Sequence, residues 1–181
     1  NRDNIMKGSV VDRPLNDMGR AQAQALADHL ADDTFDAVYA STLIRARQTA
    51  KIVAESHDPV PFAYLDDLKE ISWGVHEGAG PSEERDAIME RVKEQWRAGQ
   101  LDVEVEGGES PRQVEHRARR AIDIILEAHG GQRILIVTHG RYMRIMLASL
   151  LYEGDLTQMP NVPHSNTGLY VITHANGAFN A

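Results

Sequence analysis

At 181 residues, with 42% hydrophobic and 25% charged side chains, the chain is long enough for one domain with a proper core and has the composition of a globular protein. The absence of cysteine excludes disulfides and thiolate metal sites and accords with a reducing, cytoplasmic setting. A net charge of −8 argues against broad nucleic-acid binding, so an anionic substrate needs a locally positive pocket set against the overall field. No apolar run approaches the roughly 18 residues of a membrane span; the longest is Ile134–Val137.

Residues 1–15 read as irregular, broken by Gly8 and Pro14. Asn16 has the character of a helix cap, and the stripe Ala21, Ala25, Leu26, Leu30 predicts a helix over 17–32. Phe35–Ala40 predicts a short strand ending at Ser41, followed by a helix over 42–56. Pro59 and Pro61 interrupt the chain before a short strand over 62–65 and a glycine-containing loop over 66–81. Ser82 opens a helix to about residue 98 and, after a polar loop, Ser110-Pro111 opens a long one to His129, with proline at the first helical position and Gly130-Gly131 as the stop. Ile134–Val137 predicts a central strand buried on both faces, leading through Thr138-His139-Gly140 into a helix that ends near Tyr152. Gly168–Thr173 predicts a closing strand. Alternation of helices and short strands with short links is the pattern of an α/β domain, and no repeat or linker divides residues 1–181.

Four polar stretches fall at strand ends or in loops of this layout. His139 stands at the carboxyl end of a strand and before a helix, where open α/β sheets bind ligands and free N–H groups favour anions. Arg45 falls in the first turn of the helix after Ser41, where a guanidinium can fork onto phosphate or carboxylate oxygens; Arg47, two residues on, points elsewhere. Glu70 is a candidate general acid if an apolar setting made by Ile71 and Trp73 raises its pKa, and His76 and Glu77 compete for that role. His164–Thr167 either lines a pocket or forms a turn. Nucleotide-binding glycine loops, the nucleophile elbow and the paired-histidine zinc helix are absent; the eight histidines are scattered, with no close ligand pair, and Met143 and Met146 are expected in the core.

Taken together, these stretches resemble the histidine phosphatase superfamily, the phosphoglycerate mutase-like fold. Pro14–Ala23 matches its first helix; Ser41-Thr42-Leu43 with Arg45-Ala46-Arg47-Gln48-Thr49-Ala50 matches its arginine motif; Leu68–Gly74 with Glu77-Gly78 matches its acid motif; Gly108-Glu109-Ser110 and Val137-Thr138-His139-Gly140 match its later helix opening and second histidine motif. The resemblance covers nearly the whole chain and implies a three-layer α/β/α fold with a mostly parallel central sheet. It implies that Arg45 binds the transferred phosphoryl group, Glu70 protonates the leaving oxygen, His139 stabilises the phosphoryl oxygens, and Asn1 and Gly140 add contacts to phosphate. It implies a phosphomonoester hydrolase that works through a phosphohistidine on a small phosphorylated metabolite, with no metal, cofactor, nucleic acid or membrane partner; the alternatives are a cofactor-dependent phosphoglycerate mutase and a non-catalytic phospho-ligand module. The family's nucleophilic histidine belongs to a first-strand Arg-His-Gly motif that counts back to just before Asn1, so the nucleophile is expected upstream of these residues, on an N-terminal strand of the native domain.

Overall fold

A computed structural model describes residues 5–181, which form two compact units. One comprises Asp12–Glu70 and Arg117–His139; the other comprises the segment up to Val11, Ile71–His116 and Gly140–Ala181.

The first unit is built on a parallel sheet of three strands, β1 (Ala37–Ser41), β2 (Phe62–Leu65) and β3 (Ile134–Val137), in the order β2-β1-β3. All five residues of β1 are buried, as expected of a strand with a neighbour on each side. Ser41 pairs with Leu65, and Ala40 with Val137, so the carboxyl ends of the three strands lie level. The strand over 134–137 was expected at the centre; among the described residues it pairs only with β1, and of its four residues only Leu135 is fully buried. With one neighbour among the described residues against two for β1, the strand is less fully covered. Helices α1 (Asp17–His29) and α2 (Ile44–Ala54) close the apolar face, with Ala27, Leu30, Val38, Ala40, Ala50, Val53 and Leu135 as one cluster.

Helix ends follow their caps. The Asn16 side chain accepts from Gly19 N–H at 2.8 Å and starts α1, while the Asp12 carboxylate accepts from Ile44 N–H at 2.7 Å and starts α2. Helix α1 stops at His29, short of the expected residue 32, where Leu30 leaves helical geometry.

The second unit holds α3 (Glu83–Arg97), capped by the Ser82 hydroxyl accepting from Arg85 N–H at 3.1 Å, and α5 (Gly140–Leu151). Trp73 and Trp96 stack with ring centres 6.0 Å apart, and Tyr142, Ile145, Met146 and Leu147 of α5 are buried. Between them in sequence, α4 (Pro111–His129) begins in a reciprocal cap: Ser110 N–H donates to Gln113 Oε1 at 2.8 Å, and Gln113 N–H to Ser110 Oγ at 3.3 Å. Its first turns belong to this unit and the remainder to the sheet unit.

The expected strand over 168–173 is not formed. Instead β4 (Thr173–Ala175) and β5 (Ala178–Asn180) make an antiparallel hairpin. Its two-residue turn, Asn176-Gly177, has φ of 52° and 77°, the doubly positive geometry that favours Asn-Gly and fixes the register of the flanking strands. Leu169 and Val171 are left exposed. No helix among the described residues is long and apolar enough to cross a membrane.

Candidate active site

The parallel sheet delivers three chain segments to one edge: Ser41–Arg45 after β1, Asp66–Glu70 after β2 and Thr138-His139 after β3. This is the edge at which α/β sheets gather ligand-binding groups. His139 Nε2 lies 2.8 Å from Ser41 Oγ, so the hydroxyl that ends β1 orients the imidazole that follows β3. Thr138 Oγ1 donates to the Leu68 carbonyl at 2.7 Å and ties the third segment to the second. The second is tied to the first by Thr42 Oγ1, which donates to Asp66 at 2.6 Å. Lys69 also bonds Asp66, and these two bonds, Lys69 first, hold the Asp66 carboxyl below the usual carboxylate range.

Arg117 of α4, a residue without a local sequence signature, completes the framework. It is buried, and its guanidinium donates to three carbonyls of the acid loop: Nη1 to those of Asp67 at 3.0 Å and Lys69 at 2.6 Å, and Nη2 to that of Glu70 at 3.1 Å. Arg120, one turn along, pairs with the Asp67 carboxylate at 2.9 Å. A planar fork with five donors suits this task as an ammonium does not. Glu70 itself is buried, and its main chain is held at the carbonyl.

The electrostatics are lopsided. His139 has its pKa pushed well below its ordinary 6.5, first by burial and then by the positive charges of Arg45 and Arg117. The imidazole is therefore held in its neutral form, in a field set by two positive charges. An anion entering there meets two guanidinium groups and gives His139 a reason to take up a proton.

The expected site residues thus divide. Arg45 and His139 share one electrostatic environment, and Glu70 is joined to it through Arg117. Arg47, from the same helix as Arg45, turns away and places its guanidinium 4.8 Å from the centre of the Tyr64 ring. Gly140 is the first residue of α5, where a backbone N–H has no partner within the helix. A side chain there would collide with the ring of His164, so the polar cluster over 164–167 packs against the start of α5. Asn1 lies outside the described residues. His76 ends a short 3₁₀ turn, Gly74–His76, and the Glu77 carboxylate after it accepts from four backbone N–H groups, those of Ser9, Val10, Val11 and Trp73, at 2.8–3.1 Å.

A curated relative, the phosphoglycerate mutase-like protein 4 of Arabidopsis thaliana, is 34% identical over 74% of this chain. The metal-independent phosphoserine phosphatase of the same plant is 33% identical over 90% of it. The chain spans 59% of the first relative and 70% of the second. Among solved structures, Bacillus stearothermophilus YhfR superposes with a TM-score of 0.87 at 30% identity, covering 99% of this chain and 87% of that one. The family model of the histidine phosphatase superfamily (branch 1) matches residues 1–181, and the chain belongs to that family.

Proposed function

We propose that this chain is the catalytic domain of a phosphomonoester hydrolase that acts on a small phosphorylated metabolite in the cytoplasm. The observation that supports it most directly is the buried neutral imidazole of His139, fixed by Ser41 and set among the charges of Arg45 and Arg117 at the carboxyl edge of the sheet. Phosphoryl transfer asks little of a protein beyond positioning and positive charge, and this edge offers both.

In this reading the nucleophile is the histidine of the Arg-His-Gly motif expected upstream of Asn1, on a strand alongside the outer edge of β3. A neutral nitrogen of that imidazole attacks phosphorus while the bond to the ester oxygen breaks. Glu70, in its acid form, gives its proton to the departing oxygen. Arg45 and His139 hold the non-bridging oxygens, with Asn1 and the Gly140 N–H as further contacts. Water then attacks the phosphohistidine, its proton passes to the Glu70 carboxylate, and inorganic phosphate leaves. No cofactor enters these steps.

Two relatives point to different outcomes for the phosphoryl group, since one is named for phosphoserine hydrolysis and the other for its likeness to a mutase. The stretch between Glu70 and Gly108 is short beside the longer insertion of the mutases, which favours release to water over transfer to a second hydroxyl. The test is inorganic phosphate release by the full native protein from an aryl phosphate and from phosphoserine, with rapid acid-quench detection of an acid-labile phosphohistidine. Hydrolysis through that intermediate is expected, and Arg45→Ala should lower kcat/KM by about 10³-fold, the effect of losing an arginine from phosphoryl transfer. Phosphate moved between hydroxyls of glycerate without release would instead favour the mutase, and binding without turnover the non-catalytic module.

A further inference from the structure

A second concentration of positive charge lies wholly within the unit that carries α3 and α5. Lys93 and Arg97 of α3 and Arg141 and Arg144 of α5 line a cavity of about 210 Å³, together with Trp96 and Thr157. Among the described residues no acidic side chain lines it, in a chain with 27 Asp and Glu against 19 Lys and Arg. Lys93 and Arg97 are partly offset by Glu90, which lies outside the lining, at 3.5 Å and 2.8 Å. Arg144 is different. It is half-buried, its Nε is sealed from solvent, and that nitrogen has no hydrogen-bond partner. Buried guanidinium N–H groups are nearly always satisfied, because leaving one unmade forfeits its hydration with no return.

We infer that this cavity is a binding site for a small polyanion bearing phosphate or carboxylate groups. The chemistry follows from the lining. Guanidinium groups fork onto carboxylate and phosphate oxygens, and four cationic side chains around one cavity suit a ligand carrying more than one negative charge. The volume lies below that of drug-sized pockets, so the ligand is a metabolite or inorganic anion rather than a nucleotide or peptide. Trp96 keeps an apolar wall on one side, and its indole N–H is already committed to the Val103 carbonyl at 2.7 Å, so the wall supplies shape and low polarity.

The same chemistry has two sources: a second anionic group on the hydrolysed substrate, or a free anion. Calorimetric titration of inorganic pyrophosphate tests the site itself. It is done with the full native protein carrying Arg45→Ala, which disables the phosphoryl position proposed above. About one equivalent should still bind, and adding Arg144→Gln should weaken it by about tenfold or more, the loss expected for hydrogen bonds from a charged group. Lys93→Gln, at a partly exposed surface position, serves as the second variant and should weaken binding about threefold. Absence of binding in the Arg45→Ala protein, or affinity unchanged by both further substitutions with circular dichroism intact, overturns the site. Kinetics then assign the source. If the anion belongs to the substrate, Arg144→Gln lowers the ratio of kcat/KM for phosphoserine to that for an aryl phosphate by about tenfold. If the anion is free, the ratio holds while pyrophosphate binding falls. The binding readout needs no turnover, so a failure of the hydrolase reading and a failure of this site are told apart.

Discussion

Glu70 and Glu77 stand seven residues apart, both in the segment that resembles the family's acid motif, yet the fold engages them differently. The Glu77 carboxylate is filled by four backbone N–H donors, which bind the strap over 9–11 and Trp73 to it. A carboxylate has about four lone-pair sites, so giving and taking a proton at a substrate would mean releasing one of those donors. Glu70 is held in a different way: Arg117 grips its carbonyl and those of Asp67 and Lys69, which fixes the main chain of the acid loop. Residue type and local sequence do not separate these two glutamates. What separates them in the fold is that Glu77 collects backbone N–H groups with its carboxylate, while Glu70 is gripped by Arg117 at its carbonyl.

The comparison breaks most readily at Glu70. Glu70→Gln should lower kcat on an alkyl phosphate by about 10²-fold or more, with a smaller loss on an aryl phosphate whose leaving group needs little protonation. Equal losses on both substrates would remove the acid assignment. Glu77→Gln should show the converse pattern. It loses charge-assisted bonds to the strap, so urea denaturation should report a stability loss of about 1.5–3 kcal/mol, while the folded fraction keeps its preference between the two substrates. If Glu77→Gln instead shifts the alkyl-to-aryl ratio, the two residues have been assigned the wrong way round.

Arg117 sharpens the same contrast at smaller amplitude. Arg117→Lys keeps the charge but loses the fork that reaches three carbonyls, so the acid loop loosens without an unpaired cation being lost. A kcat loss of about tenfold is expected, again larger for the alkyl than for the aryl phosphate, as a misplaced acid would give. A rise in KM alone would make Arg117 a general structural residue and not one that positions Glu70.

Much of this arrangement was readable beforehand, and the limits have physical causes. Helix starts at Asn16, Ser82 and Ser110 are local, because a cap reaches only three residues ahead, and α4 falls where its proline and glycines set it. Arg45 and His139 were visible as polar residues at strand ends. Arg117 was not, because its acceptors lie 47–50 residues away and nothing around it marks one arginine among several on α4. The residues alone leave Glu70, His76 and Glu77 open and only the resemblance favours Glu70, since three of the donors that occupy Glu77 come from residues 66–68 positions distant. The closing strand was misplaced for the reverse reason: the apolar run over 168–172 outweighed the stronger local signal, the Asn176-Gly177 turn that sets β4 and β5.

The last effect concerns His139, and it tests the field in which an acid at Glu70 would work. Burial, then Arg45 and Arg117, keep its imidazole neutral in the folded state. In the unfolded chain it titrates near the ordinary 6.5. Above that pH both states are neutral at this residue and it contributes nothing to the pH dependence. Below it the unfolded chain binds a proton that the folded protein refuses, so the unfolded state holds more protons and stability falls as pH falls. The slope attributable to this one residue approaches but does not exceed about 1.4 kcal/mol per pH unit, and persists until the depressed folded-state pKa is reached. Urea denaturation at intervals from about pH 8 to pH 5 should therefore show a shallower acid-side decline for His139→Asn than for the wild type, with the curves parallel above the midpoint. An oxyanion bound beside the two arginines offsets both their charge and the lost hydration, so added phosphate should restore part of the imidazole's proton affinity, read as proton uptake on binding in buffers of different ionisation enthalpy. Parallel curves throughout, with no proton uptake, would mean that His139 is not held neutral by its surroundings, and the positive field ascribed to Arg45 and Arg117 would have to be withdrawn with it.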